Sequence, residues 1–276
     1  MEDHSISVAE HYTPEDLLER IYSALRTMGK DPKGGLTVED LAPVDQFHTH
    51  ALKATKELAD YGEIPREVSV IDVGSGLGGP ARYLATTLGC RVTGVDLSET
   101  FCTVATALSE CCGLSETTTF HKGNALALPE EDDRFDLAWT VQAQMNIEDK
   151  RRFYGEILRV LKPGGRLVFQ DIMAGNGAGL VFPVPWAGDG TINFLIPEDS
   201  LRGLLAGLGF REIRFINLRE GLLANPPPPP VANAELPPLG IHLVMGETFL
   251  TKRKNINANF REGRIEYVRG VYEKPA

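Results

Sequence analysis

Val70-Ile71-Asp72-Val73-Gly74-Ser75-Gly76-Leu77-Gly78-Gly79 decides the fold: a short apolar, β-branched run enters a turn built from glycines, and the helix-like segment PARYLATTLG (80–89) follows at once. Glycines at 74, 76 and 78 allow the backbone to turn tightly and to approach a ligand closely, and the helix start beyond them offers free N–H groups. Gly74, Gly76 and Gly79 also satisfy GxGxxG by spacing. A tight strand-to-helix turn with no ligand uses the same residues, so the loop alone leaves both readings open.

Working outward, VSVIDVG (68–74), RVTGVDLS (91–98), RFDLAWTV (134–141) and GRLVFQDI (165–172) each read as a buried strand, with helical segments between them. A weaker strand, TTTFHKG (117–123), ends at Gly123. Downstream lie a helix at PEDSLRGLLAGLGF (197–210), a strand at REIRFINL (211–218), a helical segment from about Ile241 to Phe260 and a last strand, IEYVRGVYE (265–273). Alternation of this kind predicts an α/β fold with a doubly wound, mostly parallel, Rossmann-like sheet of seven strands. Before it, Thr13-Pro14 starts a helix that Gly29 ends, and a second helix runs from about Asp45 to Tyr61, closed by Gly62. The expected division is a helical N-terminal leader or lid over 1–65 and a ligand-binding domain over 66–276, with insertions at 174–196 and 219–264. Pro226–Pro230 marks a stiff exposed connection.

Twenty-eight Lys and Arg against 38 Asp and Glu give a net charge of -10, so no chain-wide positive field gathers phosphates. Nucleic acid and an anionic membrane are disfavoured as partners. Cys90, Cys102, Cys111 and Cys112 are too few for a disulfide framework and lack zinc-ligand spacing, which fits a reducing cytoplasm and predicts no metal site. Neither a signal peptide nor a membrane span is expected.

Two carboxylates favour a ligand at the glycine loop. Asp96 ends the second strand at nearly the spacing of the ribose-binding acid in dinucleotide folds, which points to an adenosine. Asp72 sits two residues before Gly74, where a pyrophosphate meets a negative charge and a cationic ligand end gains one.

In that order, DVGSGLGG (72–79), VTGVDLS (92–98), GNALALP (123–129), RFDLAW (134–139) and VLKPGG (160–165) resemble the motif series of the class I S-adenosylmethionine (SAM)-dependent methyltransferases. The resemblance covers about Val68 to Ile172. It implies SAM as cofactor, with Gly74, Ser75 and Gly76 around its amino acid part, Asp72 nearby, Asp96 on the ribose, Leu97 against the adenine, Asn124 and Ala125 flanking the adenine, and Gln142 close by. Relatives usually carry Asp where this chain has Asn124, whose side-chain carbonyl is then the acceptor for the adenine amino group. DLAPVDQFHTHALKAT (40–55), MNIEDKRRFYGEILRVLKPGG (145–165) and FPVPWAGDGTINFLIP (182–197) are similar to sarcosine/dimethylglycine-type N-methyltransferases and to small-molecule enzymes of secondary metabolism.

Methyl transfer from a sulfonium needs positioning and water exclusion more than a protein nucleophile. A base is required only for an acceptor that must lose its proton, and O-methyltransferase relatives carry His where this chain has Gln144, which takes no proton at neutral pH. His48 is the candidate catalytic residue, against the alternative of a hydrogen-bonded structural histidine. Gln144, Asp171, Trp186 and Phe194 are the candidate acceptor-binding residues, with capping and packing as their structural alternatives. Tyr12 and Tyr22 of the leader face either the site or its packing. The expected function is methyl transfer to a small molecule, nitrogen leading over carbon or oxygen. An NAD-dependent oxidoreductase and a catalytically silent SAM-binding subunit are the rivals. Self-association into a homo-oligomer stays open.

Overall fold

The computed structural model describes residues 16–224 and 236–276. Thr13-Pro14, Tyr12 and Pro226–Pro230, singled out above, lie outside the described residues.

Seven strands form one sheet in the order β3-β2-β1-β4-β5-β7-β6. They are β1 (Ser69–Val73), β2 (Arg91–Asp96), β3 (Thr118–Lys122), β4 (Phe135–Val141), β5 (Leu161–Ala174), β6 (Arg211–Asn217) and β7 (Ile265–Glu273). The first five run parallel, and β7 inserts antiparallel between β5 and β6. β1 pairs with β2 on one side and with β4 on the other, so the chain leaves it outward through β3 and returns past it. That reversal opens a crevice beyond the carboxyl ends of β1 and β4, where ligands of open α/β sheets bind.

The helices are α1 (Leu17–Thr27), α2 (Val38–Asp45), α3 (Ala51–Gly62), α4 (Gly79–Leu88), α5 (Glu99–Cys111), α6 (Lys150–Val160), α7 (Glu198–Leu208), α8 (Arg219–Ala224), α9 (His242–Met245) and α10 (Phe249–Arg261). Central strands buried on both faces account for their nearly unbroken apolar runs. On one face Phe153, Tyr154 and Ile157 of α6 and Leu201 and Leu205 of α7 pack against Ile71, Phe169 and Tyr272. On the other, Leu58 of α3 and Ala81 and Leu84 of α4 meet Trp139, Val168 and Val271. Leu17, Ile21 and Leu25 of α1 join Leu41, Val44 and Leu77 and α5's Phe101 and Leu108 in a third cluster. The described part of the leader, from residue 16 on, is therefore packed into the molecule.

Two expected helices are redrawn. Instead of one helix from Asp45, α2 ends at Asp45 and α3 begins at Ala51. Thr37 opens α2 with a capping box, accepting from the Asp40 N–H while Asp40 accepts from the Thr37 N–H. His50 and Ala51 then take left-handed backbone angles, φ 67° and 45°, where α3 begins. The segment from Ile241 is likewise split: Gly246, at φ 67°, separates α9 from α10. Among the described residues no helix is long and apolar enough to cross a membrane.

Candidate active site

At the carboxyl end of β1 the chain makes its expected turn. Gly74 donates its N–H to the Val95 carbonyl at 2.8 Å and holds φ 79°. A Cβ on Gly74 would lie 2.6 Å from that of Ala143, so glycine is what lets the loops after β1 and β4 touch. Gly76, at φ 52°, has no other heavy atom within 4 Å of a Cβ placed on it: that direction opens into space. Its N–H donates to Asp96 Oδ2 at 2.8 Å, and the Ser98 N–H donates to Oδ1 at 2.9 Å. Asp96 is thus held by two backbone amides, although burial raises its pKa.

Asp72, within β1, is buried, and its Oδ2 has no partner among the described residues. Burial first, and the Asp96 charge second, push its carboxyl up to about 8. Ser75 Oγ is a second buried polar atom without a partner there. Unpaired polar groups at such depth cost about 1–3 kcal/mol each, so native proteins rarely keep them except where a ligand or water meets them.

These groups surround a cavity of about 410 Å³. Asp72, Gly74, Ser75, Gly76, Asp96, Leu97, Asn124, Ala125, Gln142, His48 and Trp186, scattered through the sequence, all contribute to its wall. Asn124 Oδ1 accepts the Leu126 N–H at 2.9 Å, so the carbonyl expected to serve an adenine already closes a turn and has one lone pair left for a ligand. Gln142, at φ 51°, accepts the Thr49 N–H through Oε1 at 3.2 Å, tying the end of β4 to the loop before α3.

His48 lies 3.0 Å from the Ala51 carbonyl and 3.1 Å from Thr55 Oγ1, both through Nε2. Donation to the carbonyl assigns the proton to Nε2, and burial lowers the ring's pKa to about 4. The imidazole is neutral at pH 7 and weakly basic. Trp186, wholly buried, donates Nε1–H to Asn193 Oδ1 at 2.8 Å, and Asn146 fastens its segment by donating to the Trp186 and Ile192 carbonyls at 2.8 and 2.9 Å.

Three expected acceptor contacts are corrected. Gln144 is wholly buried outside the cavity wall, with Nε2 donating to the Ile172 carbonyl at 2.8 Å. A 3-10 turn over Gln144–Asn146 directs it into the protein and presents Met145 and Asn146 to the cavity instead. Asp171 lies behind that turn, accepting from the Ile172 and Gln144 N–H groups at 2.9 and 3.4 Å, and burial raises its carboxyl to about 7. Phe194 is also absent from the wall; its carbonyl accepts Lys150 Nζ at 2.8 Å and its N–H donates to Met145 O at 2.9 Å. Tyr22 packs in the leader, its hydroxyl 3.7 Å from Cys111 Sγ. Sequence reasoning missed Asp45, Phe47, Asn146, Glu148 and Arg152 on the wall. For Asp45 and Phe47, their nearness to His48 was the available signal.

The family model for a methyltransferase domain matches residues 71–169, which run from β1 into β5. The glycine/sarcosine/dimethylglycine N-methyltransferase of Actinopolyspora halophila is 32% identical over 180 residues, 65% of this chain and 32% of that protein. This chain therefore spans about a third of that relative's length. The sarcosine/dimethylglycine N-methyltransferase of Halorhodospira halochloris is 28% identical over 220 residues, 78% of this chain and 76% of that one. In fold alone, the chain resembles the geranyl diphosphate C-methyltransferase of Streptomyces coelicolor A3(2), with TM-score 0.68 and 16% identity over 99% of this chain and 98% of that one. With the glycine loop, the Asp72 and Asp96 carboxylates and the antiparallel β7 in this strand order, residues 71–169 are a methyltransferase domain, and the chain has the fold of the class I SAM-dependent methyltransferases.

Proposed function

We propose that the chain transfers a methyl group from SAM to a small-molecule acceptor, with nitrogen as the atom methylated. The observation that carries this reading is the unpartnered Asp72 Oδ2 beside a glycine loop whose Gly76 opens into the cavity. A ligand with a cationic end and hydrogen-bond donors satisfies Asp72, Ser75 and Asp96 and draws the proton from Asp72 as it binds, whereas a pyrophosphate gains nothing from the Asp96 carboxylate; NAD fits this site poorly. Gly74, Ser75 and Gly76 would hold the amino acid part with Asp72, Asp96 the ribose, and Leu97, Asn124 and Ala125 the base. Bound there, SAM supplies an electrophilic methyl on a sulfonium.

The chain's own work is positioning and exclusion of water. Asp45, Phe47 and His48 bring the leader to the cavity wall, and Pro185 and Trp186 bring the segment after β5, which supports a lid formed by residues 1–65 and a wall formed by the 174–196 insertion. In the 219–264 insertion, Asn255 and Asn259 of α10 donate to the Pro183 and Val181 carbonyls at 3.0 Å each and so back that wall.

Gln144 supplies no argument about the acceptor, because it does not reach the cavity. Support for nitrogen comes from Glu148 and Asp149 on the wall, from a His48 too weakly basic to deprotonate a hydroxyl readily, and from the likeness to N-methyltransferases. A neutral amine attacks with its own lone pair and loses its proton afterwards. A cytoplasmic setting is supported by four free cysteines, and a place in secondary metabolism by the similarity of the 40–55 and 182–197 segments. Screening primary to tertiary amines, phenols and electron-rich rings for release of S-adenosylhomocysteine (SAH), with tandem mass spectrometry of the product, tests the reading. NAD binding without SAM binding overturns it.

A further inference from the structure

We infer that the Asp45–Arg82 ion pair makes the helical leader and the glycine loop one cofactor-binding unit, Asp45 and Arg82 serving as positioning residues that couple leader docking to cofactor affinity. The inference rests on the SAM-site reading above and adds a role for two residues outside the motif series.

Both side chains are wholly buried, with Arg82 Nη2 2.8 Å from Asp45 Oδ2. The same Nη2 donates to the Leu77 carbonyl, inside the glycine loop, while Nη1 donates to the Ala105 carbonyl and Ser109 Oγ of α5 at 3.0 and 3.1 Å. One guanidinium therefore joins the end of α2, the loop between Gly76 and Gly78, and the helix that follows β2. Backbone contact reinforces the join: a Cβ on Gly79 would come within 2.5 Å of the Asp45 carbonyl oxygen, so the leader rests directly on the start of α4. Directly after Asp45, Phe47 and His48 line the cavity, and Gln46 Oε1 accepts from Thr55 Oγ1 at 2.6 Å, which fixes the same stretch to α3.

A buried ion pair is a poor route to stability, since two charges lose their hydration and apolar replacements of similar volume often do as well. The second carboxylate oxygen gives this pair another use. Asp45 Oδ1 is buried, has no partner among the described residues, and belongs to a residue on the cavity wall. Arg82 Nε and Gln46 Nε2 are also buried without a partner among the described residues, but neither residue is on the wall. Of the three, Asp45 is the one placed for completion when the cavity fills: the ligand, or a water it orders, reaches Oδ1 while Arg82 holds Oδ2 and Leu77.

The test uses the full chain and SAH as probe. In the wild type, hydrogen exchange of amides 38–50 should slow on saturation with SAH together with that of amides 74–79; unchanged exchange at 38–50 overturns the coupling. Asp45→Asn keeps the shape and removes the charge. It should raise the SAH dissociation constant fivefold or more by calorimetry and abolish the SAH-induced slowing at 38–50, while the apo protein stays folded by circular dichroism. A merely structural Asp45 would lower the apo melting temperature and leave SAH affinity within fivefold, which overturns the inference. Should Asp45→Asn fail to fold, the wild-type exchange experiment decides. A wild type that does not bind SAH sinks the SAM reading itself, whereas wild-type binding with an indifferent Asp45→Asn sinks the coupling alone.

Discussion

The Gly76 N–H donates to Asp96 Oδ2 at 2.8 Å across 20 residues of sequence, joining the turn after β1 to the end of β2. The bond aims one oxygen of Asp96 at the glycine loop and leaves the carboxylate at the cavity edge with lone pairs for ligand hydroxyls.

Asp96→Ala is expected to weaken SAM binding by about 1.5–3 kcal/mol, the loss typical of hydrogen bonds to a charged group. Isothermal titration measures it. Unchanged affinity in the folded variant would assign the ribose to another group.

Asp72 sets a pH dependence with a definite sign. Its folded pKa, about 8, stands above the ordinary value of about 3.9, so between these limits the folded state keeps a proton that the unfolded state has lost. Below about pH 4 both states are protonated; above 4 stability falls as pH rises, and this contribution levels off beyond 8. Calorimetry of the apo protein should show the melting temperature falling from pH 6 to 8.5, with Asp171, raised to about 7, adding to the lower part. Asp72→Asn should flatten the slope while weakening SAM binding. A slope equal to the wild type's would show that Asp72 does not carry the proton.

Gly76→Val should abolish SAM binding in a protein that still folds. At φ 52° a branched residue is strained by roughly 1–2 kcal/mol, but the space ahead of its Cβ is open, so the new side chain fills cavity rather than core. Circular dichroism reports the fold and calorimetry the affinity. Retained SAM affinity would remove the glycine loop from the cofactor site.

His48→Gln should cost less than about tenfold in turnover, or roughly 1.4 kcal/mol, because an imidazole with a pKa of about 4 contributes position rather than basicity. With an amine acceptor of ordinary pKa near 10, the rate should rise with pH as the neutral form becomes available. A thousandfold loss with SAM binding intact would make His48 a general base and a hydroxyl the better acceptor.

The sequence by itself determined the sheet, because strands buried on both faces must be apolar throughout and turns at positive φ must be glycine: VSVIDVG, RVTGVDLS and IEYVRGVYE announce β1, β2 and β7 without help from distant residues. Asp72, Gly76 and Asp96 were legible for the same local reason, since each is placed by its own strand end. Helix limits in the leader and before Phe260 were not, because the left-handed turns at His50 and Gly246 have no apolar period to mark them. Only the tertiary structure decided which side chains face the cavity. A 3-10 turn of three residues sends Gln144 inward and Asn146 toward the wall, a choice made by the Ile172, Trp186 and Ile192 carbonyls that receive them. The Asp45–Arg82 pair spans 37 residues and exists only once α2 lies against α4, since neither charge finds its partner until both have left water.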